Sequence, residues 1–557
     1  EIRLSLVGSE MCIRDRFMRA ECLFSGIRYE LIKGSLDADI CDIVDDSRQV
    51  SPNAVFVCRR GAVTNGRKYI GDAISRGAAG IIITDEVWDS EDVYDADSMS
   101  GSLGYYPDDF FVVVMHDKRY SIGRLCNNFW GYPSRELTVI GVTGTKGKTT
   151  VTYMMKKVLE TCGCKTGLIG TIEVDDCSSQ VQSVNTTPGV VQLHRILHNM
   201  ISNGARCCVM EVSSQGIMLG RVSGVDFDIG IFTNISPDHI GKNEHKTFEE
   251  YIRWKSTMFS MCRYAVINMD DVYAPCICNG IQVNGAKKCS GVIGYGMNIW
   301  SKELYDKISE HMPVYDIHFS LYIGDQLAMA YNGITPGTEC ECVMPDGDRV
   351  PIHIDMPGLF NVYNALAVIA AGDVLGFPRS TVSKALEDIC VRGRMECAAV
   401  YRGAYVYIDY AHNPVSLENV LKTLRSYFGG KIFCVFGCGG NRAKSRRIGM
   451  GMVSGKMADL TIVTNDNPRF EDPEAIMDDI EDGLNAAGAE YIRIPDRKKA
   501  IRYGIVHAVS GDVVLLAGKG HETYQDVMGH RTHMDERELI GQILEEEDAG
   551  VICGRDN

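Results

Sequence analysis

The segment Gly141-Val142-Thr143-Gly144-Thr145-Lys146-Gly147-Lys148-Thr149-Thr150 carries the residue types that hold a polyphosphate. Its glycines free backbone amides to approach phosphate oxygens, Lys148 adds a point charge, and Thr149 offers a hydroxyl to magnesium. Val139 to Val142 read as a strand entering this loop. Beyond it, Val151, Met154, Met155, Val158 and Leu159 recur at helical spacing toward a stop at Gly163. Strand, glycine loop and helix N-terminus thus occur in the order that binding of a nucleoside triphosphate requires. Gly144 and Gly147 enclose two residues where the general phosphate loop has four, which points to a family with a short loop of its own.

Lys255 is a second chemical feature. Phe248, Tyr251, Ile252, Met258 and Phe259 fall at helical spacing, and Lys255 lies inside that apolar stripe. A lysine there either snorkels to solvent or is functional, because burial disfavours the ammonium form and leaves an amine able to react.

A third feature is a set of four turns, each following a short apolar run. Val406 to Ile408 leads into Asp409-Tyr410-Ala411-His412-Asn413-Pro414, and Ile432 to Phe436 into Gly437-Cys438-Gly439-Gly440-Asn441-Arg442. Thr461 to Val463 leads into Asn465-Asp466-Asn467-Pro468-Arg469, and Val513 to Leu516 into Ala517-Gly518-Lys519-Gly520-His521-Glu522. Open parallel sheets bind ligands at the carboxyl ends of their strands, so four such turns predict one site at one edge.

The elements that must position these residues form an α/β chain. Runs at Ala54 to Cys58, Gly80 to Ile83 and Phe111 to Val114 alternate with helix-like segments up to a turn at Gly131-Tyr132-Pro133-Ser134. Cys207 to Val212 and Ile229 to Ile235 continue a mainly parallel sheet from the phosphate loop. The expected divisions are an N-terminal domain over 18–136, a central domain over 137–392 and a C-terminal Rossmann-like domain over 393–557. Residues 1–17 resemble translated sequencing-adapter sequence, and Met18 is the expected start.

Composition narrows the partners. With 57 basic against 73 acidic residues the net charge is −16, which argues against nucleic acid, and an anionic ligand then needs a locally basic site. No apolar run approaches membrane-span length. The 21 cysteines show neither C-x-x-C pairs nor a zinc spacing and read as reduced thiols of a cytoplasmic protein.

Taken together, over residues 30 to 540, the chain resembles the Mur ligases, the ATP-dependent amide-forming enzymes of peptidoglycan synthesis. The matching segments are Asp46-Ser47-Arg48, the loop 143–150, Asn185-Thr186-Thr187-Pro188, Glu211-Val212-Ser213-Ser214, Thr233-Asn234-Ile235-Ser236-Pro237-Asp238-His239, Gly358-Leu359-Phe360-Asn361-Val362-Tyr363-Asn364-Ala365, Gly393-Arg394-Met395-Glu396 and the four C-terminal turns. The branch most resembled adds the third amino acid of the stem peptide.

The resemblance implies the three-domain architecture and an acyl phosphate made with ATP and Mg2+, in a cytoplasmic monomer. It implies catalytic Lys148, Glu211, His239 and Lys255, with metal ligands Thr149, Glu211, His239 and a carbamate on Lys255. ATP is expected at Gly144, Thr145, Lys146, Gly147, Lys148, Thr149, Thr150, Asn364, Arg394, Asp409 and His412. The UDP-N-acetylmuramoyl dipeptide is expected at Ser47, Asn185, Thr186, Thr187, Ser213 and Arg221. The acceptor is expected at Arg442, Asp466, Asn467, Pro468, Arg469, Gly518 and Glu522.

Arg469 favours meso-diaminopimelate over L-lysine, because a bidentate guanidinium rewards a second carboxylate that lysine lacks. Lysine addition or a divergent paralogue is the alternative, since several positions depart from the family pattern: Lys146, Gln215, Pro237, Arg67 and the segment 441–447. A non-catalytic nucleotide-binding subunit would be expected to lack Lys148, Glu211, His239 or Lys255; all four are present.

Overall fold

The computed structural model describes residues 17–59, 65–84, 110–116, 121–237, 240–241, 245–282, 289–297, 318–331 and 336–553; the expected leader, apart from Phe17, lies outside them. The chain is α/β, built on three main sheets.

The first sheet has the spatial order Tyr29–Lys33, Phe111–Met115, Gly80–Thr84, Ala54–Cys58, Asp42–Val44, parallel except at its Tyr29–Lys33 edge. Its three middle strands are wholly buried. Alternate side chains feed two separate cores: Val55 and Val57 pack on one face, Phe56 and Cys58 on the other.

Among the described residues the second sheet has eleven strands. Its middle, from Thr166–Ile169 through Cys207–Glu211, Thr138–Thr143, Phe227–Phe232, Cys262–Asn268 and Gly291–Gly296 to His318–Tyr331, is parallel, with antiparallel strands at both margins. Helix Lys148–Thr161 buries Val151, Met154, Met155, Val158 and Leu159 against it, and Gly163 turns the chain after the helix at φ 80°.

One strand boundary differs from the expectation. The strand expected over 229–235 runs Phe227–Phe232, because Thr233 and Asn234 leave the ladder to bind the phosphate loop. Gly141 lies inside the strand Thr138–Thr143, as the expected strand from Val139 to Val142 has it, and a Cβ there would fall 2.4 Å from Met258 Cε, so it serves close packing.

The third sheet has the order Glu396–Tyr401, Ala404–Asp409, Val513–Ala517, Ile432–Phe436, Leu460–Val463, Tyr491–Arg493. All but the first strand are parallel, and Val513–Ala517 inserts between strands that precede it in sequence. The four turns therefore emerge at one edge. Among the described residues no helix is long and apolar enough to cross a membrane, and the described cysteines are free thiols.

Candidate active site

Gly144 and Gly147 hold φ values of 152° and 84°, which a side chain disfavours. A Cβ on Gly144 would lie 1.9 Å from Thr233 Oγ1, and one on Gly147 2.6 Å from Asn364 Oδ1, so their lack of side chains lets both neighbours close on the loop. Thr149 and Thr150 are buried in the first helical turn that follows. Lys148 Nζ donates to Gly144 O at 2.9 Å, and Lys255 Nζ donates to the same oxygen at 2.7 Å. Two lysine Nζ atoms thus converge on one carbonyl beside the loop amides. Lys255 is 1% exposed and sits 4.7 Å from the Tyr251 ring centroid, so its ammonium end is buried and does not snorkel.

Glu211 ends its strand one position along the edge. Its Oε1 accepts from Thr149 Oγ1 at 2.9 Å and from Thr171 N at 2.8 Å, and its Oε2 accepts from Thr171 Oγ1 at 3.0 Å. It is 1% exposed, and among the described residues its donors are all neutral. A buried carboxylate with neutral partners calls for a cation, and carboxylate plus threonine hydroxyl is the hard-oxygen set that magnesium takes. His239, expected beside it, lies outside the described residues.

The third sheet reaches this centre. Arg394 Nη2 donates to Thr149 Oγ1 at 3.3 Å while its guanidinium lies 4.8 Å from the Tyr410 ring. Asp409 accepts from Met395 N at 2.8 Å. Burial pushes its carboxyl up to about 6, opposed by Arg394 and, less strongly, by Lys146 of the loop. His412 Nδ1 pairs with Tyr410 O at 2.9 Å.

On the other flank, Thr187 Oγ1 donates to Glu211 O at 3.0 Å and lies 3.2 Å from Ser213 Oγ, and Thr186 Oγ1 is 3.0 Å from Thr171 Oγ1. Arg221 Nη1 donates to Thr187 O at 2.7 Å; burial and the facing charge of Arg59, from the first sheet, lower its pKa. Arg59 is itself paired with Asp45 at 3.4 Å, and guanidinium groups on this flank suit an anionic ligand. Asn185 is exposed on the same segment, and Ser47 is buried at the edge of the first sheet, where it hydrogen-bonds Asp72.

The four turns enclose a cavity of about 130 Å³ lined by Tyr410, His412, Gly439, Arg442, Arg446, Asp466, Asn467, Arg469, Gly518 and Glu522, among others. A cavity of this size suits a small ligand such as an amino acid. The lining carries both signs, Arg442, Arg446 and Arg469 together with the carboxylates of Asp466 and Glu522. Arg469 is anchored by Nη1 donating to Gly440 O at 2.7 Å. Pro468 does not line the cavity: its carbonyl abuts Gly440, where a Cβ would come within 1.9 Å, so it shapes the turn instead. His412, expected on the nucleotide side, is part of the lining.

Comparison with known proteins agrees. Models of the Mur ligase family match residues 42–100 (catalytic domain), 142–372 (middle domain) and 393–520 (glutamate ligase domain). A protein of Caldanaerobacter subterraneus subsp. tengcongensis named UDP-N-acetylmuramoyl-L-alanyl-D-glutamate--2,6-diaminopimelate ligase is 37% identical over 534 residues, covering 95% of this chain and 99% of that one. The chain belongs to the Mur ligase family.

A Clostridioides difficile protein of the same name is 36% identical over 530 residues, covering 95% of this Mur ligase and 99% of that protein. A solved structure with that name superposes at TM-score 0.61 with 25% identity, covering 96% of this chain and all of the other. The architecture is thus the three-domain one of the Mur ligases. Sequence reading of this Mur ligase missed Thr171, which holds both oxygens of Glu211, and Arg59, because neither sits in a recognisable motif. Tyr410 and Lys519 stood inside quoted turns but were passed over, since an aromatic or lysine in a turn gives no signal until its neighbours are known.

Proposed function

We propose that this Mur ligase joins meso-diaminopimelate to the D-glutamate γ-carboxylate of UDP-N-acetylmuramoyl-L-alanyl-D-glutamate, using ATP, in the cytoplasmic synthesis of peptidoglycan precursors. The relatives' names supply the reaction class. The observation that carries the acceptor is one cavity lined by Arg469 and Arg442 together with Asp466 and Glu522, a lining that matches an amino acid with a carboxylate and an ammonium group at its far end.

In this reading the substrate carboxylate attacks the γ-phosphorus of ATP, ADP leaves, and the amine of the acceptor attacks the acyl phosphate and releases phosphate. Lys148, the amides of residues 144–150 and Asn364 of the central domain hold the nucleotide, while Arg394, Asp409 and His412 close over it from the third domain. Thr149, Glu211, His239 and Lys255, the last as a carbamate, would hold magnesium, which neutralises charge on the transferring phosphate. Ser47, Asn185, Thr186, Thr187, Ser213 and Arg221 hold the nucleotide-sugar peptide, and Arg59 joins them. The division into domains at residues 136 and 392 belongs to the same reading, as does a monomeric enzyme.

Phosphate release with the UDP-muramoyl dipeptide and a panel of amino acids tests it. Turnover with diaminopimelate far above that with lysine is expected; equal rates would refute the acceptor. Lys255→Ala should abolish turnover, with partial rescue by bicarbonate or chloride, and unchanged turnover would remove the role given to Lys255.

A further inference from the structure

Behind the acidic wall of the acceptor cavity lies a charge that the wall itself does not display. Lys519 is 0% exposed and does not line the cavity, although Gly518 before it and Glu522 after it do. Its Nζ donates to Tyr524 O at 2.6 Å and to Asn467 Oδ1 at 3.2 Å, and lies 3.6 Å from Asp466 Oδ1 and 3.5 Å from Glu522 Oε2. Asn467 Nδ2 in turn donates to Glu522 Oε2 at 2.7 Å. One ammonium group therefore ties the turn after Leu460–Val463 to the turn after Val513–Ala517. Burying an ammonium is strongly unfavourable unless it is paired, and both of its charged partners are wall residues.

We propose that Lys519 is a specificity-determining positioning residue: it fixes Asp466, Asn467 and Glu522 and cancels one of the two carboxylate charges, so that the acidic wall carries a net charge of −1. This rests on the acceptor reading above. The far end of diaminopimelate carries an ammonium beside a carboxylate and is neutral overall, whereas the far end of lysine is a bare cation. Two uncompensated acids would attract the bare cation. A wall reduced to one net charge, in a cavity that Arg442 and Arg469 also line, matches the zwitterionic end. Burial and Asp466 hold the Glu522 carboxyl above its ordinary range, and Lys519 opposes both, in keeping with a pair of acids that needs a shared counter-charge.

The test is steady-state turnover of the full chain with diaminopimelate and with lysine, in wild type, Lys519→Gln and Lys519→Met. Gln keeps a donor for Tyr524 O and Asn467 Oδ1 but removes the charge, and it keeps the test decisive if Met fails to fold. The diaminopimelate-to-lysine ratio of kcat/KM should fall at least about tenfold in Lys519→Gln, through a raised KM for diaminopimelate, with KM for ATP within about twofold of wild type. An unchanged ratio in Lys519→Gln, or a parallel rise in KM for ATP, would overturn the inference. A wild type that prefers lysine would instead refute the acceptor reading, while the shift of the ratio between wild type and Lys519→Gln would still report on Lys519.

Discussion

The phosphate loop and the acceptor cavity solve opposite problems. The loop is one continuous stretch that holds its own lysine, Lys148, by Gly144 and Thr145, with Asn234 from the next strand end binding Lys146 N. The cavity is assembled from four turns spread over residues 410–522, and its key groups are held across the sheet edge, Arg469 by Gly440 and Glu522 by Asn467. A phosphate chain looks alike in every nucleotide, so a local loop suffices. An amino acid is recognised by groups several ångströms apart, and only a tertiary enclosure sets those distances. Arg394, touching Thr149 on one side and Tyr410 on the other, is the group that joins the two regions.

The contrast can be broken or sharpened by substitution. The largest effect belongs to the loop side: Glu211→Ala should lower kcat by about 10³-fold or more whichever amino acid is supplied, as phosphate release will show. Retained turnover would mean that the buried carboxylate serves only packing. Arg469→Ala should cost about 10²–10³-fold in kcat/KM for diaminopimelate while leaving KM for ATP near wild type, a selective loss that the loop variants cannot produce. If KM for ATP rose equally, the two regions would not be separable.

Thr171→Val removes the hydroxyl donor to Glu211 Oε2 and should cost about 10–100-fold in activity, with the magnesium dependence displaced to higher concentration. The smallest effect is on stability. The Asp409 carboxyl is raised from 3.8 to about 6, so the folded chain holds that proton more tightly than the unfolded one. Stability therefore falls as pH rises from about 4 to 6, and the full cost persists above 6. Asp409→Asn should recover up to about 3 kcal/mol at pH 7.5 relative to pH 4, read from melts at the two pH values. The same difference at both would show that Arg394 offsets the burial.

Legibility in the sequence followed the same contrast. Apolar runs such as Phe111–Met115 and Ile432–Phe436 could be read directly, because a strand buried on both faces needs an unbroken apolar stretch. The end of the strand Phe227–Phe232 could not, because Thr233 and Asn234 are β-compatible residues whose partners lie some ninety positions earlier in the chain. Gly141 was read within its strand, but why that position is a glycine shows only when Met258 is seen against it.

By itself, the sequence determined which residues could do chemistry and in what order strand, loop and helix present them, since these depend on side-chain type and on periodicity within a few turns. The tertiary structure alone decided that Thr171 holds Glu211, that Arg59 faces Arg221 and that Lys519 stands behind two acids, since each pairs residues whose proximity is set by packing and sheet order and not by spacing along the chain.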